Sequence, residues 1–306
     1  MAMPEYTALA LLSVMATIAA ELWWFKTGIF RSAQYWASMG IVFAFQVLVD
    51  GWLTKLSAPI VLVPTYNERD NLPALVRRVR AVEPAIDICV LDDASPDGTG
   101  DVADELAAAD GQVHVIHRTG KEGLGAAYLH GFRWALEQGY DAVVEMDADG
   151  SHRPEDLHKL LDASQDADVV IGSRWVPGGE IVNWPTHRKV LSVGGNLYTK
   201  LLLGMDVSDA TAGYRVYRAD ALRALDLGSV ESAGYCFQVD LTRRAVHAGL
   251  TVVEVPITFV EREVGDSKMD GGIVRESLQR ITVWGVEHRA EQLRERLGGR
   301  GRWHRL

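Results

Sequence analysis

The sequence predicts an α/β fold with a mainly parallel sheet flanked by helices, preceded by an N-terminal hairpin of two transmembrane helices. From residue 59 onward, short apolar runs alternate with stretches of helical periodicity, an order typical of a parallel sheet. Several of these runs end in polar, carboxylate-bearing segments. Before residue 59, two apolar runs are each long enough to span a bilayer.

Net charge, cysteine usage and the sequence pattern limit the functions and the domain organisation that the chain can have. The 306 residues carry a formal net charge of −10, which argues against nucleic acid as a partner because that role needs a basic face. Cys89 and Cys236 lie far apart in apolar contexts, so we expect two buried, reduced thiols. We expect a membrane-anchor hairpin at 1–58, an α/β domain at 59–272, and an amphipathic helix with a basic tail at 273–306.

The first apolar run, 6–25, is interrupted by Glu21, and the second, 34–56, contains Asp50. Tryptophan and tyrosine cluster near the ends of both runs, as they do at membrane interfaces. A buried helical hairpin of a soluble protein is the alternative. If both ends of the hairpin face the cytoplasm, Lys26 and Arg31 lie outside, against the positive-inside rule. One alternative is that one of the runs lies in the interface without crossing the membrane.

The segment TGIFRSAQYWASMGIVFAFQVLVDGWLTKLSAPIV, at 27–61, resembles part of the small membrane lycopene cyclase domain of carotenoid-producing actinobacteria. The resemblance covers roughly the first sixty residues and stops after Val61. It implies a fusion in which the cyclase-like piece serves as a membrane anchor. Lycopene cyclase activity of this piece is an alternative function of a different class.

Strands and helices alternate through the next part of the chain. The predicted elements are a strand at 60–63, a helix at 71–82, a strand at 86–91, a helix at 100–109, a strand at 113–117, a helix ending at 138 and a strand at 142–146. Ligands of such sheets bind beyond the carboxyl ends of the strands. The segments PTYNE, DDASPDGT and MDAD all follow strands, so we expect them at one edge.

Asp147 and Asp149 follow the last of these strands and are one residue apart, so their side chains point to the same side. Two adjacent carboxylates repel each other unless a cation lies between them, and hard divalent cations prefer oxygen ligands. Alone, the pair is typical of a polar turn after a core strand. Together with the other two strand ends, it predicts a charged or hydroxyl-rich ligand.

From about residue 61 to 286 the chain resembles inverting glycosyltransferases of family 2 with the GT-A fold, and more closely the polyprenol-phosphate (dolichol-phosphate) mannose synthases. The resemblance rests on VPTYNERDNL, LDDASPDGT, KEGLGAA, MDADGSH, IGSRWVPGG, NWPTHRK, DATAGYRVYR and VPITFVEREVGDSKM. It implies transfer of mannose from GDP-mannose to polyprenyl monophosphate, giving a β-linked lipid donor of mannose. A UDP-glucose-dependent glucosyltransferase is the alternative, and NWPTHRK and EREVGDSK favour mannose.

The resemblance also implies the roles of individual residues. The donor nucleotide pocket comprises Pro64, Tyr66, Glu68, Leu91 and Asp93, and the remaining donor contacts are Asp147, Ala148, Asp149, Arg174 and Lys268. Asp147 and Asp149, with Ser151, would hold a divalent metal, Mg²⁺ or Mn²⁺, on the diphosphate. Arg188 and Arg262 would bind the acceptor phosphate, because arginine pairs well with phosphate oxygens.

The predicted catalytic residues are therefore Asp149, Arg188 and Arg262. We expect no catalytic base, because the acceptor phosphate already carries a nucleophilic oxygen, and positioning with leaving-group stabilisation suffices. The predicted histidine roles are structural.

Two later segments concern the membrane. The predicted helix at 184–203 carries Val190, Leu191, Val193, Leu197 and Leu201 to Leu203, which meet either lipid or core, and core is the safer interpretation. The amphipathic segment at 273–297 leads into an arginine-rich tail that suits an anionic cytoplasmic leaflet; a solvated tail is the alternative. We expect the protein at the cell membrane, in contact with membrane lipid, with the catalytic domain on the cytoplasmic face.

Overall fold

The computed structural model describes residues 36, 58–230, 235–261 and 271–298, and for 235, 271–274 and 291–298 the backbone alone. The chain divides into two compact units, Met1–Lys55 and Leu56–Leu306, and the second contains every element described below. Both predicted N-terminal runs fall outside these ranges, apart from Trp36. Of the helices in the described ranges, none has the length and apolar character that crossing a bilayer requires.

The described strands are β1 (Pro59–Thr65), β2 (Asp87–Asp92), β3 (Val113–His117), β4 (Ala142–Glu145), β5 (Val169–Ser173), β6 (Glu180–Val182), β7 (Arg215–Arg218), β8 (Val252–Pro256) and β9 (Thr258–Val260). Seven of them form one sheet in the order β3-β2-β1-β4-β7-β5-β8, and β6 pairs with β9. Strand β7 is antiparallel to both β4 and β5, whereas the other pairs in this sheet are parallel. The prediction of a mainly parallel sheet is confirmed.

The described helices are α1 (Leu72–Val82), α2 (Thr99–Ala109), α3 (Leu124–Gln138), α4 (Leu157–Ala163), α5 (Thr186–Leu203), α6 (Ala219–Ala224), α7 (Tyr235–His247) and α8 (Gly271–Gly298). Two hydrophobic clusters cover the two faces of the sheet. One contains residues of α3, α5, α6, α7 and α8, and the other contains residues of α1, α2 and α4. The predicted arrangement of helices on both faces is therefore also confirmed.

Strand β1 shows why the strands read as continuous apolar runs. Ile60 and Leu62 belong to one cluster and Val61 and Val63 to the other, and all four are fully buried. Alternate residues of a strand point to opposite faces, so a strand covered on both faces needs apolar side chains at every position.

Gly131 allows α3 to lie close to the sheet beneath the site. A Cβ atom at this position would lie 2.7 Å from Cδ1 of Leu62 and 2.8 Å from Cδ1 of Leu91. Those distances are too short for van der Waals contact, so the absence of a side chain sets the distance between helix and sheet.

Helix α5 differs from the safer sequence interpretation. Leu203 is buried, but Val190, Leu191, Val193, Leu197 and Leu201 are between 46% and 66% exposed. The helix packs on α8 through its other side, where Tyr198 hydrogen-bonds Thr282 at 2.7 Å. The core interpretation was therefore wrong for these five residues, since within the described residues nothing buries that face.

Candidate active site

The carboxyl ends of β1, β2 and β4 lie side by side, because β1 is parallel to both neighbours. Thr65 at the end of β1 aligns with Asp92 at the end of β2. The backbone N–H of Asp93 donates to the Thr65 carbonyl at 3.0 Å. The segments that follow the three strands therefore meet at one edge, as the sequence predicted.

Asp92 stabilises the loop after β2. It is buried, and it accepts hydrogen bonds from the Thr65 hydroxyl at 3.0 Å and from the Ser95 hydroxyl at 2.6 Å. These bonds fix the backbone around Asp93. Asp92 therefore has a structural role in the loop, which is a common role for Asp in a turn.

The predicted nucleotide pocket residues occupy different environments. Tyr66 is half-buried, and Glu68 is 9% exposed and accepts from the Asn71 amide at 2.8 Å. Pro64 and Leu91 face each other in the register of β1 and β2. The Leu91 side chain is fully buried in the core against α3, so it packs beneath the carboxyl ends of the strands and does not face a ligand.

Arg118 is a site residue that the sequence reasoning missed. Its guanidinium is 4% exposed and donates from Nη1 to Oδ1 of Asp93 and from Nη2 to Oε2 of Glu122. Three residues further along, the Nζ of Lys121 lies 4.1 Å from the centroid of the Tyr66 ring. The signal was present in the sequence, since Arg118 directly follows the predicted strand 113–117 and so belongs to a further strand end.

Asp147 and Asp149 follow β4 and are both partly exposed. The Asp147 carboxylate accepts from the Tyr128 hydroxyl at 3.5 Å, and its Oδ2 lies 3.8 Å from Nε2 of the buried His152. Oδ1 of Asp149 accepts from the backbone N–H of Ser151 at 3.0 Å. Residues Asp147 to Ser151 form a turn, here called the acidic turn. In it Gly150 has a φ of +79°, a backbone conformation that favours glycine.

The residues present fit a hard divalent cation that is shared with a substrate. Among the described residues, no three carboxylate, imidazole or thiol groups converge on one point. Asp147 and Asp149 nevertheless supply carboxylate oxygens. Mg²⁺ is commonly held by one or two carboxylates and completed by phosphate oxygens and water. Ser151 is 3% exposed, and its predicted role as a ligand stays a prediction.

Two buried ionisable residues, Glu145 and Arg215, face each other in the register of β4 and β7. Glu145 is fully buried, and burial raises its pKa to about 8, although Arg215 opposes the shift. Gln238 donates to Glu145 at 3.0 Å, and Arg215 donates to the Ala212 carbonyl at 2.7 Å. The sequence signal for this pair was a charged residue at the end of an otherwise apolar strand, in AVVE, and at the start of the strand RVYR.

Burial also raises the pKa of Tyr128, and the negative charge of Asp147 raises it further. The Tyr128 hydroxyl therefore remains protonated and able to donate to Asp147.

Arg174 lies at the end of β5, and its guanidinium contacts Asp209 at 2.7 and 2.6 Å. It also donates to Thr211 at 3.0 Å and lies 5.4 Å from the ring centroids of Trp184 and Phe259. The side chain is thus fixed within the protein, and its predicted contact with the donor stays a prediction.

Arg188 lies in the first turn of α5 and contacts both oxygens of Glu261, at 2.6 and 2.7 Å. Its guanidinium lies 4.9 Å from the ring centroid of Trp184. The two other predicted basic residues, Arg262 and Lys268, lie outside the described residues, so their roles stay predictions.

A cleft of about 410 Å³ lies beside Ala148 and Asp149, which contribute to its lining. Arg153 and Glu261, the partner of Arg188, also line it. Arg78 also lines the cleft and is held by Glu155 at 3.1 and 2.7 Å. The cleft thus brings the carboxylates of Asp149 and Glu261 together with the guanidiniums of Arg78 and Arg153. These charges suit a ligand with both phosphate and hydroxyl groups.

Comparisons with known proteins agree with this geometry. A family model described as glycosyl transferase family 2 matches residues 60–226. An undecaprenyl-phosphate mannosyltransferase from Micrococcus luteus is 60% identical over 239 residues, which cover 78% of this chain and 98% of the relative. A polyprenol monophosphomannose synthase from Mycolicibacterium smegmatis is 57% identical over 237 residues, covering 77% of this chain and 89% of the relative.

Solved structures show the same fold. Glucosyl-3-phosphoglycerate synthase from Mycobacterium tuberculosis, in complex with Mn²⁺, UDP-glucose and phosphoglyceric acid, matches with a TM-score of 0.55 at 18% identity, covering 74% of this chain and 79% of the other. Its complex with Mn²⁺, UDP and glucosyl-3-phosphoglycerate matches with a TM-score of 0.53 at 17% identity, covering 76% and 79%. The GT-A fold is therefore confirmed. Nothing in these matches supports the lycopene cyclase resemblance of the first sixty residues.

Proposed function

This chain belongs to glycosyl transferase family 2, and we propose that it transfers mannose from GDP-mannose to a polyprenyl monophosphate, inverting the anomeric carbon to give a β-linked product. The observation that carries the proposal is the identity of 60% and 57% to two polyprenyl-phosphate mannosyltransferases, one matched over 98% of its length. The site supports it, because the polar ends of β1 and β2 adjoin the acidic turn after β4, and the cleft beside that turn is lined by Glu261, the partner of Arg188.

The donor nucleoside is assigned to the edge formed by β1 and β2. Tyr66 offers an aromatic surface, and the carboxylates of Glu68 and Asp93 can accept from base N–H groups or ribose hydroxyls. The buried Asp92 and its hydrogen bonds keep this edge in one conformation. A preformed edge of this kind lowers the entropic cost of binding.

The donor diphosphate is assigned to Asp147 and Asp149 through a divalent cation, Mg²⁺ or Mn²⁺. Such a cation, when bound, neutralises the charge that develops on the departing GDP. Tyr128 and His152 hold the first carboxylate, and the Ser151 N–H holds the second. These contacts orient the carboxylate oxygens before the substrates arrive.

The acceptor phosphate is assigned to Arg188 together with Arg262. An oxygen of this phosphate forms a bond to the anomeric carbon while the bond from that carbon to the GDP oxygen breaks. No general base is required, because the attacking oxygen is already ionised at neutral pH. Arg188 is now paired with Glu261, so we expect the incoming phosphate to compete with Glu261 for the guanidinium.

The protein is assigned to the cell membrane, with the catalytic domain on the cytoplasmic face. A polyprenyl acceptor is held by the bilayer, and α5 begins two residues before Arg188 and carries five exposed apolar side chains. A helix with such a face can lie in the interfacial region of a membrane. The predicted apolar runs at 6–25 and 34–56 would add an anchor.

A donor-specificity assay tests the proposal. Purified protein is incubated with polyprenyl monophosphate and labelled GDP-mannose or UDP-glucose, with Mn²⁺ or with EDTA. We expect labelled mannolipid only from GDP-mannose and only with the metal. Equal use of UDP-glucose would show that the chain is a glucosyltransferase instead, and product formation in EDTA would contradict the metal assignment.

A further inference from the structure

The Arg118–Asp93 ion pair lies at the edge assigned to the donor nucleoside. In the register of β2 and β3, Asp92 aligns with His117, which places Arg118 next to Asp93. The backbone N–H of Arg118 donates to the Asp92 carbonyl at 2.8 Å, so its backbone is fixed as well. Arg118 and Asp93 are 4% and 7% exposed, which makes this pair far more buried than the Glu122 contact, where the carboxylate is 65% exposed.

The pair leaves part of the Asp93 carboxylate available. Arg118 occupies one lone-pair site on Oδ1. Within the part of the chain that the structure describes, Oδ2 of Asp93 accepts no hydrogen bond. A carboxylate has about four acceptor sites, so Asp93 can bind two adjacent donors of a ligand while it remains paired with Arg118. A buried guanidinium pair also restricts the rotation of the carboxylate.

The neighbouring surface suits a flat base. The Asp93 N–H donates to the carbonyl of Thr65, the residue before Tyr66, so the aromatic ring and the carboxylate follow adjacent strand ends. Lys121, in the same loop as Arg118, lies over the Tyr66 ring. The loop 118–122 therefore contacts both side chains that can bind a nucleobase. Tyr66 can stack on the face of the base, and Asp93 can accept hydrogen bonds from its edge.

We propose that Arg118 is the positioning residue that sets the preference of this site for a guanine base, by holding Asp93 so that its carboxylate faces the two adjacent N–H donors of guanine. Uracil presents a single N–H donor, so the same carboxylate gains less from it. The inference rests on the proposed function, in which the donor is a GDP-sugar. Arg118 itself touches Asp93 and acts on the substrate through it.

The test compares GDP and UDP binding to the full-length protein by calorimetry, with Mn²⁺ present. The variants are Arg118→Gln, which removes the charge, and Arg118→Lys, which retains it without the planar fork. Arg80→Gln is the matched control. Arg80 also pairs with a carboxylate, Asp110 at 2.6 Å, but it lies in the last turn of α1, which leads to the amino end of β2 and not to the carboxyl end that carries Asp93.

We expect Arg118→Gln to weaken GDP binding by roughly tenfold or more, the effect of losing one charge-assisted interaction, while UDP binding changes less than about threefold. Arg118→Lys should recover part of the GDP affinity, and Arg80→Gln should change neither. In the transfer assay, the KM for GDP-mannose should rise in Arg118→Gln while kcat is largely kept. A purely structural role would lower kcat and reduce binding of both nucleotides alike.

An unchanged ratio of GDP to UDP affinity in Arg118→Gln would overturn the inference. If that variant does not fold, Arg118→Lys carries the same comparison, and failure of both to fold would count against the proposal. The wild-type protein tests the proposed donor separately. A wild type without preference for GDP would overturn the donor and this inference together, whereas a preference that survives in the variants overturns only the role of Arg118.

Discussion

Arg174 and Asp209 form a buried two-point ion pair, with Nε to Oδ2 at 2.7 Å and Nη2 to Oδ1 at 2.6 Å. The Asp209 side chain is fully buried and that of Arg174 is 7% exposed. Burial alone would raise the pKa of Asp209, but the Arg174 guanidinium holds it below its ordinary value. The pair joins the end of β5 to the segment before β7, so it stabilises the part of the sheet edge opposite the acidic turn.

Loss of Asp209 should destabilise the protein. Asp209→Ala removes the carboxylate that neutralises the buried Arg174 guanidinium, and we expect a loss of about 3–5 kcal/mol in the free energy of unfolding. Asp206→Ala is the control, because that carboxylate is 98% exposed and pairs with Lys200 at the surface, and it should change stability by less than about 0.5 kcal/mol. Urea denaturation measures both, and equal effects would show that the buried pair contributes nothing.

The same pair has a defined pH dependence. Because the folded pKa of Asp209 is depressed, its contribution is fully present above the unfolded pKa and is lost as pH falls through the folded pKa. The stability difference between wild type and Asp209→Ala should therefore shrink in acid. A difference that grows as pH falls would contradict this sign.

Removal of Asp149 should remove metal-dependent transfer. We expect Asp149→Ala to lower kcat by at least roughly 100-fold, in the range seen when a group that stabilises the leaving charge is lost. It should also abolish the effect of Mn²⁺ on GDP binding. Asp162→Ala, an exposed carboxylate on α4, should retain full activity. Full activity in Asp149→Ala would refute the metal assignment.

The same glycine-to-alanine change should have opposite effects in two helices. At Gly131 the new Cβ would collide with Leu62 and Leu91, and overpacking of this kind costs about 1–3 kcal/mol. At Gly194, in the exposed part of α5, a Cβ meets no atom within 4 Å. There, alanine should stabilise the helix by up to about 1 kcal/mol. Thermal unfolding of the two variants measures the difference, and the same sign in both would contradict it.

The two cysteines should resist alkylation in the folded protein. Both are free and buried, as the sequence predicted, and burial raises the pKa of Cys89 to about 12 and also raises that of Cys236. Because the thiolate is the reactive form, we expect almost no labelling by N-ethylmaleimide at pH 7.5 and two labels in denaturant. Mass spectrometry counts the labels, and rapid native labelling would show that one thiol is accessible.

Most of the central fold could be predicted from the sequence because its signals are local. The predicted helix 71–82 occurs as Leu72–Val82, and the predicted strand 113–117 occurs as Val113–His117. Strand order was not predictable in this way. The insertion of β7 between β4 and β5 depends on pairings between residues far apart in the chain, and no local pattern encodes them.

The site was predictable to a similar extent. The strand-end rule correctly brought Tyr66, Asp93 and Asp147 to one edge. It could not show that Arg174 is paired with Asp209 or that Arg188 is paired with Glu261, because these partners are 35 and 73 residues away. Sequence patterns identify which residues can bind phosphate. The ion pairs between distant residues determine which guanidiniums must release a carboxylate before they can bind it.

The reversed direction of β7 leaves a notch in the row of carboxyl ends. Since neighbouring strands lie about 4.8 Å apart, the ends of β4 and β5 are separated by roughly 10 Å. The beginning of β7 lies between them, preceded by Gly213, where a Cβ would approach His152 to 3.3 Å and Asp147 to 3.9 Å. Gly213 therefore keeps this notch open towards the side chains of His152 and Asp147, and a single added methyl group there would narrow it without altering any charged residue around it.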